Sequence, residues 1–270
     1  MPSSSHSRTP HATAAVEAAG TWLAERAHEN LGTEIALRSA TGATPGLHVT
    51  VARRGGDLTG VSVSASGGPW WLEADGPEAT AELVAAVAAA PGGWPAKVRS
   101  SGTVKGWLLP LLAARGLRPV REHDLWAMRC SQPPAGAPGQ GRWATIADRV
   151  ALERYQVLYN AERRTAVDPD WDSLLRRPAV AVLDYDGRIT AVLKRTADTA
   201  RYATIGGTWT DPAFRRRGLA QRLATFVVTE LLRDRPAVHL IVDDDNAAAI
   251  ALYRSLGFED CGRCYMGYLS

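Results

Sequence analysis

Apolar positions in the second half of the chain fall into two periods. Residues 147–161 have helical spacing, whereas 179–183 and 189–194 are short apolar runs suited to strands. Asp186-Gly187 between those runs predicts a hairpin turn. A third strand is predicted over 202–210. A helix from Gly218 to about Arg233 follows, because apolar residues at 219, 220, 223, 224, 227, 228, 231 and 232 form one stripe. Residues 238–242 read as a short strand. Asn246 can cap the next helix, which runs to Leu256 and stops at Gly257. A last strand is predicted near 265–269.

The first half repeats this plan at an offset of 141 residues. At that offset 48–53 falls on 189–194, 61–65 on the third strand, 78–90 on the helix after 218, and 96–99 on 238–242. Leu111 to Leu117 falls on Leu252 to Phe258. So many elements in one register predict a tandem duplication. The Pro- and Gly-rich segment 131–141 carries no apolar period and reads as the linker between the copies. The expected division is a disordered tail at 1–11, a first domain at 12–130, the linker, and a second domain at 142–270.

Composition narrows the picture. The chain has 270 residues, 46% hydrophobic and 22% charged, as in ordinary globular proteins. A net charge of +3, with both signs mixed along the chain, does not favour nucleic acid as a partner. No apolar run reaches the length of a membrane span, and the start lacks the apolar core of a signal peptide. A cytoplasmic location without membrane attachment is therefore expected. Cys130, Cys261 and Cys264 are too few for a disulfide framework, and the Cys261-x-x-Cys264 pair has no second pair to complete a zinc site. No metal is expected.

The chemistry concentrates at Phe214-Arg215-Arg216-Arg217-Gly218-Leu219-Ala220, between a predicted strand and a predicted helix. The first amides of a helix lack internal partners and point at whatever lies off its N-terminus, where the dipole favours negative charge. Gly218 allows close backbone approach, and the three arginines add charge. The segment reads as a binding loop for pyrophosphate or, from the arginines alone, as a solvated basic turn.

The segment Thr210 to Ala220 resembles the acyl-CoA motif of the GNAT superfamily of N-acyltransferases, an Arg or Gln, two residues, Gly, one residue, then Gly or Ala. Arg215, Gly218 and Ala220 hold those places. A second block, Asp245 to Phe258, is similar to the family's Asn, Ala, Leu-Tyr and Gly-Phe signature through Asn246, Leu252-Tyr253 and Gly257-Phe258. The resemblance covers 143–270, and the whole chain is similar to tandem-GNAT proteins. It implies an α/β (α+β) fold of two tandem GNAT-like domains, each a mixed, mostly antiparallel central sheet flanked by helices. It also implies an enzyme taking acetyl-CoA or another acyl-CoA as cosubstrate. The third and fourth strands of the second domain should splay and hold the pantetheine arm along the backbone near Trp209 and Thr210. The amides of 215–220, with Arg215, Arg216, Arg217, Gly218, Leu219 and Ala220, should hold the pyrophosphate. Tyr253 would protonate the departing CoA thiolate, and a strand amide near Thr210 would stabilise the oxyanion. Asn246 would cap its helix, contact the pantetheine, or both. The predicted third strand has no carboxylate to serve as general base. Glu162, Asp184, Asp186 and His239 are the candidates, beside a water-mediated base or an amine that arrives neutral.

At the offset of 141 the first copy reads Ala74-Asp75-Gly76-Pro77-Glu78-Ala79 against residues 215–220. Pro77 stands at Gly218, Leu112 at Tyr253 and Lys105 at Asn246. The first domain is therefore expected to keep the fold without binding CoA. Trp70, Trp71, Trp94 and Trp107 are expected in its core or in an interdomain contact. Arg163-Arg164 and Arg176-Arg177 read as solvated surface.

The leading expectation is transfer of an acetyl or other short acyl group from acyl-CoA to a primary amine of a small molecule, with an antibiotic or other secondary metabolite as a suited acceptor, by a monomer or homodimer. The alternatives are an aminoacyl-tRNA-dependent transferase on a GNAT-like fold, with tRNA as partner, and a non-catalytic acyl-CoA-binding protein.

Overall fold

A computed structural model describes residues 10–26, 31–41, 47–65, 67–136 and 138–270. Most of the expected N-terminal tail, residues 1–9, lies outside the described residues. Helix α1 starts at Pro10, within the stretch assigned to that tail.

The chain forms two compact units that do not follow the cut at 131–141. Unit 1 comprises 1–127 together with 243–245 and 261–270, and unit 2 comprises 128–242 with 246–260.

Unit 1 begins with helices α1 (Pro10–Ala24) and α2 (Leu31–Thr41). Strands β1 (Leu47–Arg54), β2 (Asp57–Ala65) and β3 (Pro69–Ala74) follow, then helix α3 (Pro77–Ala89), strand β4 (Lys97–Ser101), helix α4 (Gly102–Ala113) and strand β5 (Pro119–Cys130). β1 and β2 are antiparallel across a Gly55-Gly56 turn, β2 and β3 are antiparallel, and β3 and β4 are parallel with α3 as the crossover. The neighbour of β4 on its other side is the last strand of the chain, β11 (Glu259–Leu269). It pairs antiparallel from Cys264–Ser101 to Tyr268–Lys97. Leu83, Val84 and Val87 of α3 and Val104, Leu108 and Leu112 of α4 pack with Trp70, Leu72 and Val98 in one core. α1 and α2 cover the other side through Ala19, Leu23, Ala36 and Leu37 against Val61 and Val63. The four tryptophans expected in this core pack on these two clusters: Trp70 is fully buried, Trp94 and Trp107 lie against the first, and Trp71 lies against the second.

Unit 2 contains β6 (Arg142–Trp143), α5 (Arg149–Arg163), α6 (Trp171–Leu175), β7 (Val180–Tyr185), β8 (Arg188–Asp198), β9 (Ala203–Thr210), α7 (Leu219–Leu231), β10 (Val238–Asp243) and α8 (Ala247–Ser255). The strand order is β10-β9-β8-β7-β6. β7 and β8 close on the expected hairpin, with Asp186 and Gly187 at φ 55° and 72°, the left-handed pair that a two-residue turn requires. β9 and β10 are parallel and joined by α7, whose stripe of Leu219, Leu223, Val227, Val228 and Leu231 is buried. Each such side chain contributes on the order of 2 kcal/mol by leaving water.

The two units share a plan, but the fixed offset mismatches part of it. The topological partner of β1 is β7 and that of β2 is β8, so 48–53 does not correspond to 189–194. Strand β3, which the apolar pattern does not reveal, is the partner of β9. From α3 onward the offset holds to within two residues except at the start of α4, and Gly76, not Pro77, precedes α3 as Gly218 precedes α7. Lys105 sits inside α4, which Ser101 caps one turn earlier than Asn246 caps α8. Among the described residues no helix is long and apolar enough to cross a membrane.

Candidate active site

The expected slot is present in unit 2. β9 and β10 pair at two positions, Ala203 with Val238 and Thr204 with His239. β9 then runs on unpaired on that edge to Thr210. Its other edge is irregular. Lys194 lies opposite Gly206 and Val192 opposite Trp209, so one β8 residue faces Gly207 and Thr208 together. This is a β-bulge, and Gly207 accommodates it with φ 62°, a region costly for any side chain. The bulge re-aims Thr208, whose Oγ1 lies 2.7 Å from the Tyr253 hydroxyl.

Tyr253 is held from three directions. It lies on α8, where Asn246 Oδ1 accepts a hydrogen bond from the Ala249 amide at 3.2 Å. The helix stops at Gly257 with φ 84°, and the Phe258 amide donates back to the Tyr253 carbonyl at 3.1 Å. The Phe258 ring packs edge-on at 5.4 Å. Only 5% of Tyr253 is exposed. Burial raises the phenol above its ordinary value, partly offset by the hydrogen bond with Thr208, so Tyr253 stays protonated and able to donate at neutral pH.

The arginine loop spans 211–218. Asp211 accepts from the Ala213 amide and starts a single 3₁₀ turn at Pro212–Phe214, and Phe214 is buried as the loop's anchor. φ then alternates in sign: Arg215 is extended, Arg216 is left-handed at 65°, and Gly218 is left-handed at 73°. Such alternation makes successive amides converge on an anion. No side chain caps Gly218, and the first helical bond of α7 runs from the Arg222 amide to the Gly218 carbonyl, so the amides before Arg222 have no partner in the helix.

The three arginines divide their work. Arg215 is committed to the protein: its Nη2 donates to Glu162 Oε2 at 2.6 Å and its Nε to the Thr210 carbonyl at 3.0 Å. Arg217 lies over the Phe214 ring at 5.3 Å. Arg216 is exposed. Thr210 Oγ1, at the end of the unpaired edge, is buried without a hydrogen-bond partner among the described residues. An orphaned hydroxyl, an unpaired strand edge and a bare helix N-terminus suit a ligand with an extended polar arm ending in a pyrophosphate. Acyl-CoA fits that description.

The proposed bases fare less well. Glu162 accepts from both Arg215 and the Trp209 indole, at 2.6 and 2.9 Å. Burial opposes its ionisation, but the bonds from Arg215 and Trp209 outweigh it and leave the carboxyl below its usual range. A carboxylate so held is a poor proton acceptor. Asp184 is bound by Arg142 at 2.7 Å, and Asp186 makes the hairpin turn. His239 is 1% exposed, 4.8 Å from the Tyr202 ring, at the paired end of the slot.

Two features escaped the sequence reading. Thr208, which holds the Tyr253 hydroxyl, is one; Lys194, on the α5 face of the same bulge, is the other. The adjacent glycines Gly206-Gly207 inside a predicted strand were the available signal, since glycine within a strand marks a bulge or a close approach.

The pattern of the acetyltransferase (GNAT) family matches residues 146–258. A curated relative from Salmonella typhimurium, [ribosomal protein bS18]-alanine N-acetyltransferase, is 46% identical over 59 residues, 22% of this chain. The match spans 40% of that relative's length. Among solved structures, a GCN5-related N-acetyltransferase from Sphaerobacter thermophilus superposes with a TM-score of 0.59 at 22% identity, over 87% of this chain and 84% of that one. A GNAT-family acetyltransferase from Colwellia psychrerythraea gives 0.56 at 15% identity, over 85% and 88%. A tandem GNAT protein from the clavulanic acid biosynthesis pathway gives 0.53 at 15% identity, over 96% of each chain. The fold of those proteins is thus shared, and residues 146–258 form a domain that matches the acetyltransferase (GNAT) family.

Proposed function

We propose that this protein is an acyl-CoA-dependent N-acyltransferase whose single acyl-CoA site lies in unit 2. The observation that carries the reading is the parting of β9 from β10 after two pairs, with Tyr253 bonded to Thr208 beside it and the uncapped N-terminus of α7 following the same strand.

The pantetheine arm would hydrogen-bond to the open edge of β9 near Trp209 and Thr210, as an added strand does. Its pyrophosphate would meet the amides of 216–220, with Arg216 and Arg217 supplying charge. Arg215 would contribute by holding the loop against Glu162 and Thr210. The acceptor amine attacks the thioester carbon, a β9 amide near Thr210 stabilises the oxyanion, and the C–S bond breaks as Tyr253 protonates the thiolate. Asn246 would chiefly cap α8, leaving its amide nitrogen for the pantetheine. The acceptor we favour is a primary amine on a small molecule, with acetyl or another short acyl as the group moved. The alanine acceptor in the Salmonella relative's name supports a second reading, the α-amine of a peptide.

Calorimetry with CoA and acetyl-CoA tests the site, and a thiol-release assay with small amines and alanine-initiated peptides tests the acceptor. Micromolar binding and amine-dependent thiol release are expected. Absence of CoA binding sinks the reading; binding with no turnover on any amine leaves an acyl-CoA-binding protein instead.

A further inference from the structure

The chain has three lysines, Lys97, Lys105 and Lys194, among many arginines. In unit 1 the Lys97 amine donates to the Tyr268 hydroxyl and Lys105 is paired with Asp124. Lys194, the lysine of unit 2, has no carboxylate paired with it among the described residues. Its Nζ donates to Gln156 Oε1 at 2.7 Å, and the rings of Tyr155, Trp171 and Tyr159 stand 5.1, 5.2 and 5.8 Å away. On β9 it faces Gly206 and Gly207, where a Cβ on Gly207 would lie 3.5 Å from Lys194 Cδ. The next residue is Thr208, the partner of Tyr253. An amine is therefore held on the α5 face, against the bulge whose next residue, Thr208, bonds the proton donor Tyr253.

We propose that Lys194 is itself an acyl acceptor, modified by the acyl-CoA bound in unit 2. The inference rests on the acyl-CoA reading given above. In its neutral form Lys194 Nζ attacks the thioester carbonyl carbon and an N–C bond forms. The C–S bond breaks with its electron pair going to sulfur, and the thiolate takes a proton from Tyr253. The new amide nitrogen gives up its surplus proton, which returns to Tyr253 through solvent. The products are Nζ-acyl-Lys194 and free CoA thiol. Arginine could not do this, since its guanidinium does not deprotonate in proteins. The modification turns a cation on the aromatic wall into a neutral amide of larger size, so an amine acceptor entering by that wall meets a changed charge and a smaller space.

The lysine is suited to the step. Burial lowers it to about 8, because the uncharged amine is easier to keep out of water. The groups facing it are Tyr155, Gln156 and Tyr159 from α5, Trp171 from α6 and glycines from β9; Arg195, next on its own strand, is tied to Asp198. None of these is a carboxylate that would restore the charge.

The test is incubation of the full-length protein with acetyl-CoA, followed by whole-protein and peptide mass spectrometry, with CoA affinity measured on the same sample. One acetyl group at Lys194 and none at Lys97 or Lys105 is expected. Its initial rate should rise roughly tenfold between about pH 7 and pH 9, following the neutral fraction of an amine that titrates near 8. Lys194→Arg should lose the adduct while keeping CoA affinity, and Tyr253→Phe, which keeps the fold's apolar contacts, should slow its formation. Bound CoA without acetylation at Lys194, equal labelling of all three lysines, or an unchanged rate in Tyr253→Phe would each overturn the proposal while leaving the CoA site standing. Failure to bind CoA at all would instead remove the parent reading.

Discussion

The joints between β3 and α3 and between β9 and α7 are the same place in two copies of one plan, built to opposite ends. The first is two residues, Asp75-Gly76, with Gly76 extended at φ 179°. The second is eight residues with two left-handed positions. Each joint is tied to the first-helix region of its own unit by an ion pair of 2.6 Å, with the polarity reversed. In unit 1 the joint supplies the acid and the helix side the base, Asp75 to Arg26; in unit 2 the joint supplies the base, Arg215 to Glu162. The strands differ in the same sense. β3 pairs with β2 without a bulge, and past its last pair with β4 a Ser101-to-Glu73 hydrogen bond of 2.9 Å links the two strands. β9 is bulged, and its edge stays open. On the proposed reading, a scaffold would gain a phosphate site here by a longer joint, a kinked strand and the sign of one tether.

The largest effect should come from the feature with no polar counterpart in unit 1, where Leu112 occupies the place of Tyr253. Tyr253→Phe should lower kcat by roughly 100-fold with CoA affinity within about twofold, as expected for loss of a proton donor. An equal loss of both in steady-state kinetics and calorimetry would make Tyr253 a packing residue. Reversing the tether is next. Arg215→Glu and Glu162→Arg should each lower Tm, and the double exchange should restore Tm while weakening CoA binding about tenfold, since the joint would then carry unit 1's charge. Full CoA affinity in the double exchange would show that the sign of the tether is irrelevant.

A smaller contrast separates the two joint glycines. Gly218→Ala should cost about 1 kcal/mol in urea denaturation, because a side chain at φ 73° is strained even with open space around it. Gly76→Ala, in extended backbone, should change stability by less than about 0.5 kcal/mol. The smallest effect belongs to β6, which has no equivalent among the described residues of unit 1. Arg142 bonds both Asp148 and Asp184, and the bond from Arg142 holds the Asp148 carboxyl at about 2. Its contribution is present above the ordinary aspartate range and is lost as pH falls from about 4 toward 2. Being at the surface, the pair should contribute less than about 1 kcal/mol, so the urea midpoint should drop modestly over that window and Asp148→Asn should flatten the drop.

Unit 2 was legible because its elements announce themselves. The stripe on α7, the Asp186-Gly187 turn and the Asn246 and Gly257 stops of α8 are local signals with local causes. The repeat was legible from α3 onward for the same reason. Its first strands were not, because a fixed offset cannot see that one joint is longer than the other. Gly55-Gly56 and Asp186-Gly187 make the same hairpin turn, yet the helices that follow are displaced by a further stretch, most of it the arginine loop. β3 was missed because Pro69-Trp70-Trp71-Leu72 reads as bulky core without alternation. The commitment of Arg215 to Glu162, 53 residues away, is a tertiary fact that no local pattern carries.

β11 has a bearing on how this protein is made. Strand β4 is complete on one side only when residues 264–268 lie beside it, and those leave the ribosome after every residue of the second unit. Domains usually fold in the order of synthesis. Here the first unit must wait for residues 264–268, holding an open strand edge through the synthesis of the entire second unit. A ribosome that stops short of residue 261 therefore leaves the early half, rather than the late one, as the part exposed to aggregation and proteolysis.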